Sequence, residues 1–241
     1  MFIHYRTQGF ILKKKDFGEA DRLFTVYTKD FGKIEVLGHS IRKIKSKLRG
    51  AMENFYLSEI EFIQGKTYKT LIDALLIESF SKIRDDLVKI KILFRISEDL
   101  DILIKESEED EKIWNLLNEV FNELKKPLVF KNYFLVYYYY FWNLFSNLGY
   151  EPQLYKCSLC QKKLIPEKLF FNSREGGIVC FQCFKKSDFL EISLETVKIL
   201  RVILSKNLST VLKLKPNKSF EKEFKKISND YLNSFDFKKM E

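Results

Sequence analysis

All four cysteines of this chain fall in two pairs, Cys157-Ser-Leu-Cys160 and Cys180-Phe-Gln-Cys183, with nineteen residues between them. Two intervening residues let both thiolates of a pair turn towards one ion, and a second pair completes a tetrahedron. The C-x2-C…C-x2-C spacing is a zinc signature. It makes Cys157, Cys160, Cys180 and Cys183 the expected ligands of one Zn2+. An all-sulfur shell leaves no open coordination position, so such a zinc is structural. Reduced buried pairs or disulfides would use the same residues. A thioredoxin-like site needs one pair in a βαβ setting, and no such alternation surrounds these.

The 241 residues are 46% hydrophobic and 31% charged, a balance that suits one or two soluble domains with sizeable cores. The first residues show no basic region followed by an apolar run, so no secretory signal is expected. The longest unbroken apolar run, Tyr133 to Trp142, is ten residues, far short of a bilayer span. Paired thiols in this setting fit a reducing cytoplasm.

The net charge of +9 favours a polyanionic partner. Its excess of Lys over Arg, with abundant Phe, Ile, Asn and Tyr, also fits compositional bias. The distribution says more: residues 1–80 carry +4, residues 81–130 carry −3 and residues 131–187 carry +5.

Residues 1–77 read as β. Gln8–Lys14, Arg22–Thr28, Gly32–Leu37, Phe55–Gln64 and Thr67–Leu75 are short β-branched and aromatic runs joined by Gly- and Asp-containing turns. Five short strands predict a small closed barrel, an OB-fold first and an SH3-like barrel second. Between strands three and four, Arg42, Lys43, Lys45, Lys47 and Arg49 put five cations in eight positions. Gly38 and Gly50 bracket them, and no acid lies between Glu35 and Glu53. This predicts a mobile loop able to neutralise phosphates, with a merely solvated loop as the bland alternative. His4 and His39 are assigned no role.

From Glu78 the apolar period changes to that of a helix, through Phe80, Ile83, Leu87, Ile90, Phe94 and Ile96. Residues 78–241 are expected to form a helical domain carrying a zinc ribbon at about 154–186. The acids Glu106, Glu108, Glu109, Asp110 and Glu111 are read as complementing a helix N-terminus rather than holding Mg2+. The aromatic run at Tyr133–Trp142 predicts a helix buried on nearly every side, and Gly149 its C-cap. Gly176-Gly177 suggests a tight turn within the ribbon, and Ser193 a helix N-cap. A last amphipathic helix places Phe220, Phe224, Ile227, Tyr231 and Phe235 on one face, to pack on the aromatic helix. The fold class is therefore α+β.

A basic-loop barrel, a helical half and a four-cysteine ribbon following Leu148-Gly149-Tyr150-Glu151-Pro152 come in a fixed order. Together with Gly9-Phe-Ile-Leu12, Glu19-Ala-Asp-Arg22-Leu23 and the segment from Gly38 to Gly50, this arrangement resembles the RecO family of bacterial recombination mediators, over nearly the whole chain. The resemblance implies a non-enzymatic protein of the bacterial cytoplasm and nucleoid. Such a protein binds single- and double-stranded DNA, anneals complementary strands, and acts with RecR and single-stranded-DNA-binding protein to load RecA. It implies DNA contacts at Arg22, Lys33, Arg42, Lys43, Lys45, Lys47 and Arg49, and a monomer when alone. The loop leans on Lys where the family is often Arg-rich, which predicts stronger salt sensitivity. Two other readings share the same features: a zinc-ribbon transcription regulator or nucleic-acid adaptor, and a metal-dependent nuclease.

Overall fold

One strand with two partners closes the N-terminal barrel. In the computed structural model, which describes residues 3–105, 109–127, 132–185, 189–216 and 218–235, β1 (His4–Phe17) pairs antiparallel with β4 (Leu57–Gln64) through its first half. Its second half pairs antiparallel with β2 (Asp21–Thr28). The two ladders overlap at Gly9, opposite Ser58 on one side and Thr28 on the other. A Cβ on Gly9 would lie 2.4 Å from Val26 Cγ1, so the Val26 side chain occupies the space that any larger residue would need. β3 (Gly32–Gly38) pairs with β2 and meets β5 (Lys69–Glu78) in parallel at Val36 and Leu37; β5 returns antiparallel along β4. The order β1-β2-β3-β5-β4 closes on itself, the five-stranded OB barrel expected from the sequence.

Ile11, Phe24, Val26, Ile34, Val36 and Phe62 fill the barrel. Phe10 and Leu12, on the opposite side of β1, are buried as well. A strand covered on both faces reads as a continuous apolar run rather than an alternation. The outer cover is α1 (Ser81–Arg84), α2 (Leu87–Leu103) and α3 (Glu111–Leu124). The Phe10 ring lies 4.4 Å from Phe121 and 5.2 Å from Trp114. Ser97 Oγ donates to the Leu12 carbonyl at 2.7 Å, where β1 bulges between Ile11 and Lys13. Strand gives way to helix at Glu78, while the compact unit that contains the barrel runs from Met1 to Pro127. The outward face of β1 needs these helices to leave water.

The helical period runs through Phe80, Ile83, Leu87, Ile90, Phe94 and Ile96; Phe80, Ile83 and Ile96 are buried, but Leu87 and Phe94 depart from it. Leu87 is 74% and Phe94 47% exposed, while Ile92, Leu93, Ile96 and Leu100 are buried. The cause is a restart: Asp86 caps α2, its carboxylate accepting from Val88 and Lys89 N–H groups. This breaks the phase carried from Phe80 and Ile83.

The second unit, Leu128–Glu241, is built on α4 (Tyr133–Asn147), in which ten residues are buried. α7 (Lys218–Ser234) lays its aromatic face on it as expected: Tyr138 meets Phe224 at 4.9 Å and Trp142 meets Tyr231 at 5.0 Å. Gly149 caps α4 at φ +87°, with Tyr150 N–H returning to the Phe145 carbonyl. α5 (Leu194–Ser205) starts on Ser193, whose Oγ accepts from Thr196 N–H; α6 (Leu208–Val211) follows. A three-stranded antiparallel sheet, β6 (Leu169–Asn172) flanked by β7 (Gly177–Cys180) and β8 (Leu190–Ile192), carries the cysteines. No helix among the described residues is long and apolar enough to cross a membrane.

The helix phase can be checked by denaturant titration. Phe10→Ala should cost about 3–5 kcal/mol, and Leu87→Ala about 0.5 kcal/mol or less; comparable losses would contradict the phase described.

Candidate nucleic-acid surface and metal centre

The basic segment after β3 is anchored, not the free loop its glycines suggested. Ser40 takes a left-handed turn at φ 52°, and Ile41 then plugs the barrel core, 1% exposed. At the far end a single 3-10 turn, Lys47–Ala51, delivers Ala51 and Met52 into the same core, with Leu48 packed against it. Asp21 ties down the near end: one carboxylate oxygen accepts from Ser40 N–H at 2.7 Å and the other from His39 Nδ1 at 2.7 Å. The Ser40 N–H first, and His39 second, hold the Asp21 carboxyl below the usual carboxylate range. His39 thus fastens the loop.

Asp16 receives two of the arginines. Arg22 Nε reaches one oxygen at 2.7 Å and Arg42 Nη2 lies 3.5 Å from the other. The hydrogen bond from Arg22 is the main reason this carboxyl too is depressed. Lys33 is only 8% exposed, its ammonium donating to the Asp101 carbonyl at 2.9 Å and facing the Asp101 carboxylate at 3.4 Å. It ties β3 to α2. Lys43, Lys45, Lys47 and Arg49 are exposed, and among the described residues none of them has a carboxylate within salt-bridge distance. Anchoring therefore sorts the seven candidate cations. Arg22 and Arg42 sit on Asp16 at the loop base, Lys33 is packed, and four are displayed.

Phe24 lies in the barrel core, and Tyr27 is buried on the other face of β2 with its hydroxyl directed at the Asp110 carbonyl; both are 0% exposed, so neither is a stacking platform. Tyr56 is partly buried beneath the Arg84 guanidinium, 4.2 Å from its ring centre. The residues sequence reading missed are Asp16, Asp21 and Ile41. They touch the loop through tertiary contacts that leave no local spacing pattern.

The cysteines do converge. The Sγ atoms of Cys157, Cys160, Cys180 and Cys183 all lie within 4.8 Å of one another, and Cys160 and Cys180 are 3.9 Å apart. Four sulfurs at ~2.3 Å from one zinc are separated by roughly 3.8 Å, so the cluster has the size of a tetrahedral site; the cysteines are not disulfide-bonded. The first knuckle is closed by Cys157 N–H on the Lys162 carbonyl and Gln161 N–H on the Cys157 carbonyl, with Gln161 left-handed at φ 61°. It docks on β7 through Ser158 N–H to the Ile178 carbonyl. Gly177 permits that docking, because a Cβ there would lie 2.4 Å from the Gln153 carbonyl oxygen. Burial opposes a thiolate at Cys157, yet N–H groups of Cys160, Cys180 and Leu159 outweigh it and bring its pKa to about 6. The neighbouring Cys160 and Cys180 push Cys183 up to about 12. The surroundings thus favour a thiolate at Cys157 and oppose one at Cys183, and a divalent cation would be needed to hold thiolates side by side. Among the described residues this is the only group of three or more ligating side chains so clustered. Asp110 is spent on capping α3, accepting from Lys112 and Ile113 N–H groups. Glu106 and Glu108 lie outside the described residues.

Fold and site together define an OB-barrel protein with a basic surface loop, joined to a helical unit with a four-cysteine cluster of the size of a metal site. Residues 1–80 match the family described as Recombination protein O N terminal, and residues 84–234 match Recombination protein O C terminal. The chain belongs to the RecO family of DNA repair proteins. Relatives named DNA repair protein RecO include that of Dehalococcoides mccartyi strain CBDB1, 31% identical over 91% of this chain and 85% of the relative. Those of Alkaliphilus metalliredigens (26% identical; 94% of this chain and 92% of the relative covered) and Desulforamulus reducens (27%; 98% and 91%) are similar over most of their length.

Asp21 gives a pH test. Its folded pKa is depressed, so its support of the loop is complete above the ordinary carboxylate pKa of about 3.9 and is lost as pH falls through the lowered value. In an NMR acid titration the Ser40 amide should report a midpoint below 3.9. Asp21→Asn should abolish that transition at a cost of about 1 kcal/mol; a midpoint at the ordinary value would show that the anchor is not formed.

Proposed function

We propose that this RecO-family protein is a non-catalytic DNA-binding recombination mediator. It binds single- and double-stranded DNA, anneals complementary strands, and with RecR helps load RecA onto DNA coated by single-stranded-DNA-binding protein in the bacterial cytoplasm. The observation that carries the reading is the display of Lys43, Lys45, Lys47 and Arg49 on a pinned segment of an OB barrel. Cations held in place but lacking carboxylate partners pay little to release their counterions onto phosphates. Arg22 and Arg42 extend this surface at the loop base, while Lys33, being packed, is assigned to the barrel. Residues 1–77 form the DNA-binding domain and residues 78–241 the helical domain in this assignment.

Annealing needs no protein nucleophile. One strand is held by its phosphates with its bases free, the basic surface lowers the repulsion felt by a second strand, and base pairing supplies the driving force. Zn2+ at Cys157, Cys160, Cys180 and Cys183 would hold the two knuckles together and leave no position for a substrate.

Two outcomes follow. Replacing Arg42, Lys43, Lys45, Lys47 and Arg49 by Gln should weaken single-strand binding and flatten the log–log salt slope by up to about 3.5, at about 0.7 per phosphate contact. Unchanged fluorescence titrations would sink the assignment. The double variant Cys157→Ser/Cys180→Ser should lose metal by elemental analysis and lower the melting temperature. A sequence-selective duplex preference in competition assays would favour the transcription-regulator reading instead.

A further inference from the structure

The ribbon has features that closing a metal site does not explain. Lys156 and Lys163 face each other across an isolated antiparallel bridge. The flanking hydrogen bonds, Cys157 N–H to the Lys162 carbonyl and Leu164 N–H to the Tyr155 carbonyl, make them a non-hydrogen-bonded pair, the geometry that brings side chains closest. Like charges directly opposite each other destabilise a ladder. Both ammonium groups are exposed, and among the described residues neither has a carboxylate within salt-bridge distance. Over residues 154–186 the sequence holds seven cations and two acids.

The knuckle tips add apolar surface beside this charge. Phe181, the first residue inside the second knuckle, is 56% exposed, and Leu159, in the first, is 41% exposed. Cys160 and Cys180 Sγ lie 3.9 Å apart and the Cys180 N–H faces Cys157 Sγ at 3.5 Å, so Leu159, Phe181 and Lys156 are each one residue from the same cluster. Phe184 shows what a structural aromatic does here: it stacks on Phe170 at 3.9 Å and meets Phe189 edge-on at 5.6 Å. Phe181 makes no ring contact among the described residues.

We propose that the ribbon is a second contact surface for single-stranded DNA, with Lys156 and Lys163 on successive phosphates and Phe181 stacked on an unpaired base. Paired cations with no acid partner among the described residues call for a polyanion, and an exposed ring with no ring contact among them calls for a flat apolar face. A single strand offers both along its length, whereas a duplex keeps its bases stacked away from such a tip. This inference rests on the DNA-binding reading above and extends it from the barrel to the second unit.

The test uses the intact zinc-loaded chain and a labelled oligothymidylate. Lys156→Gln/Lys163→Gln should flatten the salt slope by about 1.4, two contacts at 0.7 each. Phe181→Ala should weaken single-strand binding about fivefold or more and leave duplex binding unchanged, with zinc stoichiometry and melting temperature retained in both. The loop variant is measured alongside. If the ribbon variants bind as the parent while the loop variant is weakened, the ribbon is not a contact surface and the barrel reading stands alone. If ribbon and loop variants all bind as the parent, both readings fall. Ribbon variants that keep DNA affinity but no longer capture RecR would make this a protein-docking face and likewise overturn the proposal.

Discussion

Closure of the barrel depends on β1 serving two strands at once, with Gly9 and Phe10 paired on both sides. Every ladder is referred to this strand: β2 and β3 follow from its second half, β4 and β5 from its first. Its two faces are equally committed, with Ile11 inside the barrel and Phe10 under the helices. Barrel and helical cover are therefore not separable layers. The bulge at Ile11–Lys13 both turns the strand and presents the Leu12 carbonyl to Ser97, so one irregularity serves curvature and docking together.

The same closure fixes where the charge is displayed. Two acids, Asp16 and Asp21, sit at the β1–β2 turn and the start of β2, beside the exit of β3. They receive Arg22, Arg42, His39 and the Ser40 amide, and these bonds hold the segment's base. The cations beyond them are left with water, and for Lys and Arg with only water the free-energy cost of meeting a phosphate is low. Ile41 and Met52 pin the two ends in the core, so a mobile segment becomes a presented one. A binding surface presented this way would lose less conformational entropy on meeting its partner than a free loop would.

In the second unit the fold is held by two different means. Around α4 it is aromatic packing, where Tyr231 lies between Trp142, Phe145 and Phe171 and its burial pushes its phenol pKa up. In the ribbon the core is small, chiefly Val179 and the cysteines themselves. There the converging sulfurs take the place of apolar area, as is usual for modules too small to bury much.

Much of this was legible in the residues. The cysteine spacing set the cluster, the short β-branched runs set five strands, and the cation density of residues 42–49 marked the loop, because each depends on neighbours in sequence. The aromatic faces of α4 and α7 were legible for the same reason, a period carried by one element. The phase of α2 was not, because Asp86 restarts the helix and only packing against β1 decides which side is inward. Nor was the sorting of Arg22, Lys33 and Arg42 from Lys43, Lys45, Lys47 and Arg49: their charges are alike in sequence, and only the positions of Asp16 and Asp101 distinguish them. The sequence alone determined which chemistry is present, sulfur ligands and displayed cations on a closed barrel. The tertiary structure decided which of those groups are spent on holding the molecule together, because a charge is neutralised by what lies within a few ångströms of it and not by what lies near it in the chain.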